Sequence, residues 1–99
     1  MNIQIQSIHF TADSKLLGFA NEKVSKLSQF YDGIISSEIF LRLDNSDNST
    51  NKVAEIKINV PGNDLYVKRQ CKTFEEAIDT GVMALSKQVK RYKEKQKGI

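Results

Sequence analysis

Six cations crowd the last thirteen residues of this 99-residue chain: Lys87, Lys90, Arg91, Lys93, Lys95 and Lys97. Glu94 is the one acid among them, so the segment carries a balance of +5, whereas residues 1–86 carry −2. Cations at this density can hold a polyanion through phosphate contacts; Tyr92 interleaves with them as a ring on which a base can stack, but it also ends the apolar stripe, and packing is its plainer job. An anionic membrane surface is the other polyanion to weigh. It would need a free apolar helix face, and here that face is required for the core. A solvated helix end that merely suits the helix dipole is the plain alternative.

Other chemistries find few residues to work with. His9 is the sole histidine and Cys71 the sole cysteine. Nothing in the spacing pairs His9 with a thiol or a serine, and it reads as an exposed residue at a strand end. Cys71 reads as a half-buried small residue; Lys72 beside it leaves a reactive thiol as the alternative. Carboxylates do not cluster at metal-ligand spacing, and no Cys/His pairs exist for zinc. The polar run DNSDNSTN (44–51) lacks the glycine and final Glu of a calcium loop, and no glycine-rich phosphate motif is present. The expectation is therefore no enzyme, no metal, no cofactor and no small-molecule substrate.

A single cysteine fits a reducing cytoplasm. No apolar run approaches the length of a transmembrane helix, and MNIQIQSIHF lacks the pattern of a signal peptide. A cytoplasmic protein without a membrane partner is expected.

The elements that must position these residues follow from periodicity. Thr73 to Lys97 reads as one helix. Thr73 caps it, and Glu76 completes a capping box. Phe74, Ala77, Ile78, Gly81, Val82, Leu85, Val89 and Tyr92 form its apolar stripe, with Lys87, Lys90, Arg91 and Lys95 on the other side. About 24 helical residues span roughly 36 Å, and strands of seven or eight residues span about 25 Å. The basic end should project past the sheet.

Residues 2–8 read as a strand with Ile3 and Ile5 at alternate positions. Asp13 caps a helix running to about Tyr31, with Leu16, Ala20, Val24, Leu27 and Tyr31 on its stripe. Residues 37–43 form a second strand, with Ile39, Leu41 and Leu43 on one face. Residues 52–60 form a third, with Ala54, Ile56, Ile58 and Val60 inward. Pro61 to Asp64 is a hairpin turn into a fourth strand, Leu65 to Cys71. The order is β-α-β-β-β-α, an α/β chain of the α+β type in one domain. Strands that alternate apolar with polar imply a sheet covered on one face, so both helices should pack there. A right-handed crossover makes the first two strands parallel if they are neighbours. Arg42, Lys57, Tyr66 and Lys68, with Lys52 as a further candidate, would lie on the open face.

These elements and residues together resemble the short form of the ribosome hibernation promoting factor family, relatives of the ribosome-associated translation inhibitor. The similarity runs over nearly the whole chain. Its most specific part is TFEEAIDTGVMALSKQVKRYKEKQK. There Ala77-Ile78-Asp79, Leu85, Lys87-Gln88-Val89, Arg91 and Lys93 sit at the family's motif positions. Lys23-Val24-Ser25-Lys26-Leu27 with Phe30-Tyr31-Asp32 matches a second stretch. Two departures stand out. Ending in Lys97-Gly98-Ile99, the sequence is expected to go without the long C-terminal extension with which long forms pair ribosomes and without the acidic tail of the translation-inhibitor subgroup.

The resemblance implies a partner and a task. Family members bind the small ribosomal subunit, contacting 16S rRNA in the channel used by mRNA and the A- and P-site tRNAs. They block initiation and preserve idle ribosomes when growth stops. By position, Lys23, Lys26, Lys87, Lys90, Arg91, Lys93 and Lys95 are the implied rRNA contacts, and Lys68 and Arg69 weaker ones. A separate ribosome-dimerising factor is a further candidate partner. Residues 1–99 would form one ribosome-binding domain with its basic helix end at 87–97. The alternative is a general double-stranded RNA binder of similar build.

Overall fold

The computed structural model describes residues 1–45 and 49–97, with side chains through Lys95. Loop positions 46–48, the side chains of Gln96 and Lys97, and residues 98–99 lie outside the described residues. The elements are β1 (Asn2–Ile8), α1 (Ser14–Ser25), a 3₁₀ turn (Lys26–Gln29), β2 (Ser36–Leu43), β3 (Lys52–Val60), β4 (Asn63–Cys71) and α2 (Phe74–Lys97). The four strands form one sheet in the order β1-β2-β3-β4. β1 and β2 are parallel, with Ile5 opposite Ile39; the other pairs are antiparallel. The α+β order expected from periodicity is the order found.

Alternation fixes which face is covered. Ile39 and Leu41, Ala54, Ile56 and Ile58, and Leu65 and Val67 are all buried in one cluster. Leu16, Ala20, Val24 and Leu27 from the first helical segment join them, as do Ala77, Ile78, Leu85 and Val89 from α2. Both helices thus lie on the same side of the sheet. α2 comes close at Gly81, where an added Cβ would stand 3.2 Å from Ile56 Cδ1 and 3.4 Å from Val67 Cγ1.

Both expected N-caps form at the helix starts. Asp13 Oδ1 accepts from the Leu16 N–H at 2.8 Å, and Thr73 Oγ1 accepts from the Glu76 N–H at 3.0 Å. Each satisfies a donor that the first turn leaves open. The reciprocal half of the capping box, from the Glu76 side chain, does not form among the described residues.

Four further details differ from expectation. The first helix does not run unbroken to Tyr31; it tightens to 3₁₀ at Lys26. The hydroxyls of Ser25 and Ser28 donate to carbonyls three residues back, Glu22 O and Ser25 O, alongside this tighter winding. The hairpin turn is shorter than Pro61–Asp64, because pairing resumes at Asn63 opposite Val60. Gly62 makes so tight a reversal possible with a left-handed φ of 76°. Lys52 shares its face with Ala54 and Ile56, not with Lys57. Leu43, at the strand end, is 47% exposed and outside the core.

Two further residues complete the sheet. Val53 is buried although it lies on the face away from the helices, between Arg42 and Gln70 in the register. Ser37 is fully buried on the helix side, and its hydroxyl has no hydrogen-bond partner among the described residues.

Candidate nucleic-acid interface

α2 has a buried inner face and a basic outer end, and the surrounding elements hold that end still. Leu85 and Val89 are fully buried beneath it. Gln88 Nε2 donates to the backbone oxygen of Tyr66 at 3.2 Å, tying the helix to the outer strand of the sheet. The Tyr92 hydroxyl donates to the carbonyl of Pro61 at the hairpin turn. Its ring meets Tyr31 edge-on at 5.7 Å between centroids. Pro61 lies in the hairpin turn, so this bond seats Tyr92 at that end of the sheet, and α2 continues past it to Lys97.

The cations of this segment divide into two rows. Lys90 and Lys93 lie on the flank facing the first helical segment, beside Gln29 and Phe30. Lys90 Nζ sits 4.6 Å from the Phe30 ring centroid, a cation–π contact that positions the ammonium without neutralising it. Arg91 and Lys95 lie on the opposite flank, beside Asn63 and Leu65 of β4. Lys87 is exposed on the outer surface between the two. None of these five makes an ion pair among the described residues. A helix C-terminus also favours cations there through its partial negative charge.

The other candidate cations are differently placed. Lys23 Nζ lies 3.4 Å from Asp79 Oδ1 on α2 and 5.5 Å from the Phe19 ring centroid. Lys26 lies 3.9 Å from Glu22 one turn back. Lys68 and Arg69 point to opposite faces by strand alternation. Lys68 is on the open face opposite Glu55. Arg69 is on the helix side, near Gly81, and donates to the Lys68 carbonyl at 3.0 Å.

The open face of the sheet carries both signs of charge, and several of its charges are paired. Arg42 is bonded to Glu55, and the Tyr66 hydroxyl donates to the other oxygen of the same carboxylate. Lys57 is 3.7 Å from Asp64. The Tyr66 hydrogen bond, with Arg42 and Lys68 nearby, holds the Glu55 carboxyl below its usual range. The same bond, with some burial, pushes the Tyr66 phenol up.

The remaining chemistry-bearing residues lie apart from the basic helix end. His9 is exposed at the end of β1 with φ 63°. Cys71 is half-buried, with its Sγ 3.9 Å from Thr80 Oγ1. Among the described residues, no three of His, Cys, Asp and Glu gather as metal ligands. No described helix is long and apolar enough to cross a membrane.

Phe30, which positions Lys90, Gln88, which anchors α2, and Asn63, which lies beside Arg91 and Lys95, did not emerge as functional from the sequence. Phe30 and Gln88 sit within the recognisable stretches, but their roles depend on which helix flank meets which neighbour. Asn63 carries only a turn signal.

Fold and site together define a small α+β domain that presents a braced cationic helix end at the hairpin end of its sheet. Its family has a sequence model, described as sigma 54 modulation protein / S30EA ribosomal protein, and residues 3–97 match it. The chain belongs to that family. A ribosome hibernation promoting factor of Pseudomonas putida is 21% identical over 99 residues, covering all of this chain and 93% of the relative. The N-terminal domain of Thermus thermophilus Protein Y is 26% identical, with a TM-score of 0.81 over 93% of this chain and 99% of that one. A ribosomal subunit interface protein from Coxiella burnetii shares the fold, with a TM-score of 0.82 at 18% identity over 94% and 98% of the two chains.

Proposed function

We propose that this protein is a ribosome hibernation factor. It binds the small ribosomal subunit in the channel used by mRNA and the A- and P-site tRNAs, and it blocks initiation under stress or in stationary phase. Residues 1–99 act as one ribosome-binding domain in the cytoplasm. Lys87, Lys90, Arg91, Lys93 and Lys95 contact 16S rRNA phosphates. Lys23 and Lys26 extend that surface along the first helical segment, and Lys68 and Arg69 contribute at its margin. The protein acts by occupying space and performs no catalysis.

One observation carries this reading: five cations that no described carboxylate pairs stand on a helix end anchored by Tyr92, Gln88 and the buried Leu85 and Val89. Pre-ordered cations lose little freedom on meeting phosphates, and such contacts give affinity without reading sequence. Family membership and the names of the relatives support the same partner.

Cosedimentation with small subunits on sucrose gradients, with free duplex RNA as competitor, tests the reading. Retention on the subunit against excess duplex is the expected result. Equal displacement by duplex would make the protein a general double-stranded RNA binder.

A further inference from the structure

The row formed by Arg91 and Lys95 borders a niche that a general phosphate-binding surface does not require. It is a cavity of about 300 Å³ between the start of β4 and the basic half of α2, lined by Asn63, Leu65, Gln88, Arg91, Tyr92 and Lys95. Its walls differ in kind. Leu65 and the Tyr92 ring form an apolar side. Arg91 and Lys95, one turn apart, supply two cations that no described carboxylate neutralises.

The hydrogen bonds already made determine what remains on offer. The Tyr92 hydroxyl is committed to Pro61 O, which fixes the ring as a wall. Gln88 Nε2 is committed to Tyr66 O, so its Oε1 remains an acceptor beside the cavity. The Asn63 side chain makes no hydrogen bond among the described residues, leaving both a donor and an acceptor.

We propose that this niche receives a single unstacked nucleotide. Its phosphate lies against Arg91 and Lys95, its base against Tyr92 and Leu65, and the polar edge of the base meets Asn63 and the free oxygen of Gln88. The volume is at the small end of ligand pockets, the scale of one nucleotide. An aromatic wall beside two cations is how proteins hold splayed single-stranded bases. The proposal rests on the ribosomal reading for its source of RNA: the nucleotide belongs to an unpaired strand on the subunit surface. A free nucleotide shares the chemistry, so the test separates the two.

The test titrates the whole protein, followed by NMR, with a single-stranded hexaribonucleotide, a blunt RNA duplex, or AMP. The single strand should shift the side-chain amide resonances of Asn63 and Gln88 and the ring resonances of Tyr92, and the duplex should leave them in place. Asn63→Leu, which keeps every cation, should weaken single-strand binding about fivefold, the effect of removing one hydrogen bond. Duplex affinity should not change. Unmoved resonances at saturating single strand would overturn the proposal, as would equal shifts with the duplex. Shifts with AMP but none with the strand would overturn the RNA source. A niche that responds while the protein fails to sediment with small subunits would sink the ribosomal reading and the subunit as the source of the strand, leaving single-strand binding by the niche standing. Sedimentation with a silent niche would sink this inference alone.

Discussion

Lys23 on α1 and Asp79 on α2 meet at 3.4 Å between Nζ and Oδ1, bridging the two helices on the face away from the sheet. Both side chains are partly exposed, so the pair contributes less than about 1 kcal/mol to stability. Its larger effect is on charge, because Asp79 offsets a cation that would otherwise face a polyanion. Asp79→Asn should barely change the thermal midpoint. It should steepen the salt dependence of RNA binding by up to one phosphate contact, about 0.7–0.9 in the log–log slope. An unchanged slope would mean that Lys23 stays off the RNA.

The basic end depends on what lies beneath it. Leu85 is fully buried among the core side chains of α2 and the sheet. Leu85→Ala should cost about 2–5 kcal/mol in urea unfolding, from the forfeited transfer energy and the cavity left behind. A much smaller cost would show that the helix is only loosely seated.

Much of this was legible beforehand, for identifiable reasons. Alternation in Ala54 to Val60 named the covered face of the sheet, and the stripe from Phe74 to Tyr92 named the inner face of α2. The tightening at Lys26 was not visible, since Leu27 stays inward in either winding. The Lys23–Asp79 pair joins residues far apart in sequence, so only the packing angle of the two helices reveals it. Helical spacing gives the angles of Lys90 and Arg91. Which of them looks toward Phe30 and which toward Asn63 depends on where α2 lies on the sheet. The niche was hidden for the same reason.

The open face should show a characteristic pH response. Glu55 is held below its usual range, so the stability it contributes is present above that range and is lost as pH falls through its folded value. Tyr66 is raised, so its contribution is present below about pH 10 and is lost as pH rises through its folded value. Both effects depend mainly on one hydrogen bond. The stability difference between the parent protein and Tyr66→Phe should be flat from about pH 6 to 9 and shrink at both ends. A difference constant across the whole range would show that the bond does not persist in solution.

Ser37 offers a stabilising change. Its buried hydroxyl has no partner among the described residues, and it lies between Ile3 and Ile58 in the register. Ser37→Ala should raise stability by about 1 kcal/mol, because an unsatisfied buried hydroxyl costs more than a methyl group at the same place. Chemical denaturation with an unchanged m-value would measure it, and a loss of stability would show that the hydroxyl is satisfied.

The cationic end of α2 can be tested most directly by measuring small-subunit affinity across a salt series for the parent protein and for the combined variant Lys87→Ala, Lys90→Ala, Arg91→Ala. The expected result is an intact fold by circular dichroism, severe weakening, and a slope reduced by about 0.7–0.9 for each phosphate no longer neutralised. A folded variant that binds with the parent's affinity and slope would contradict the assignment of this helix end to RNA.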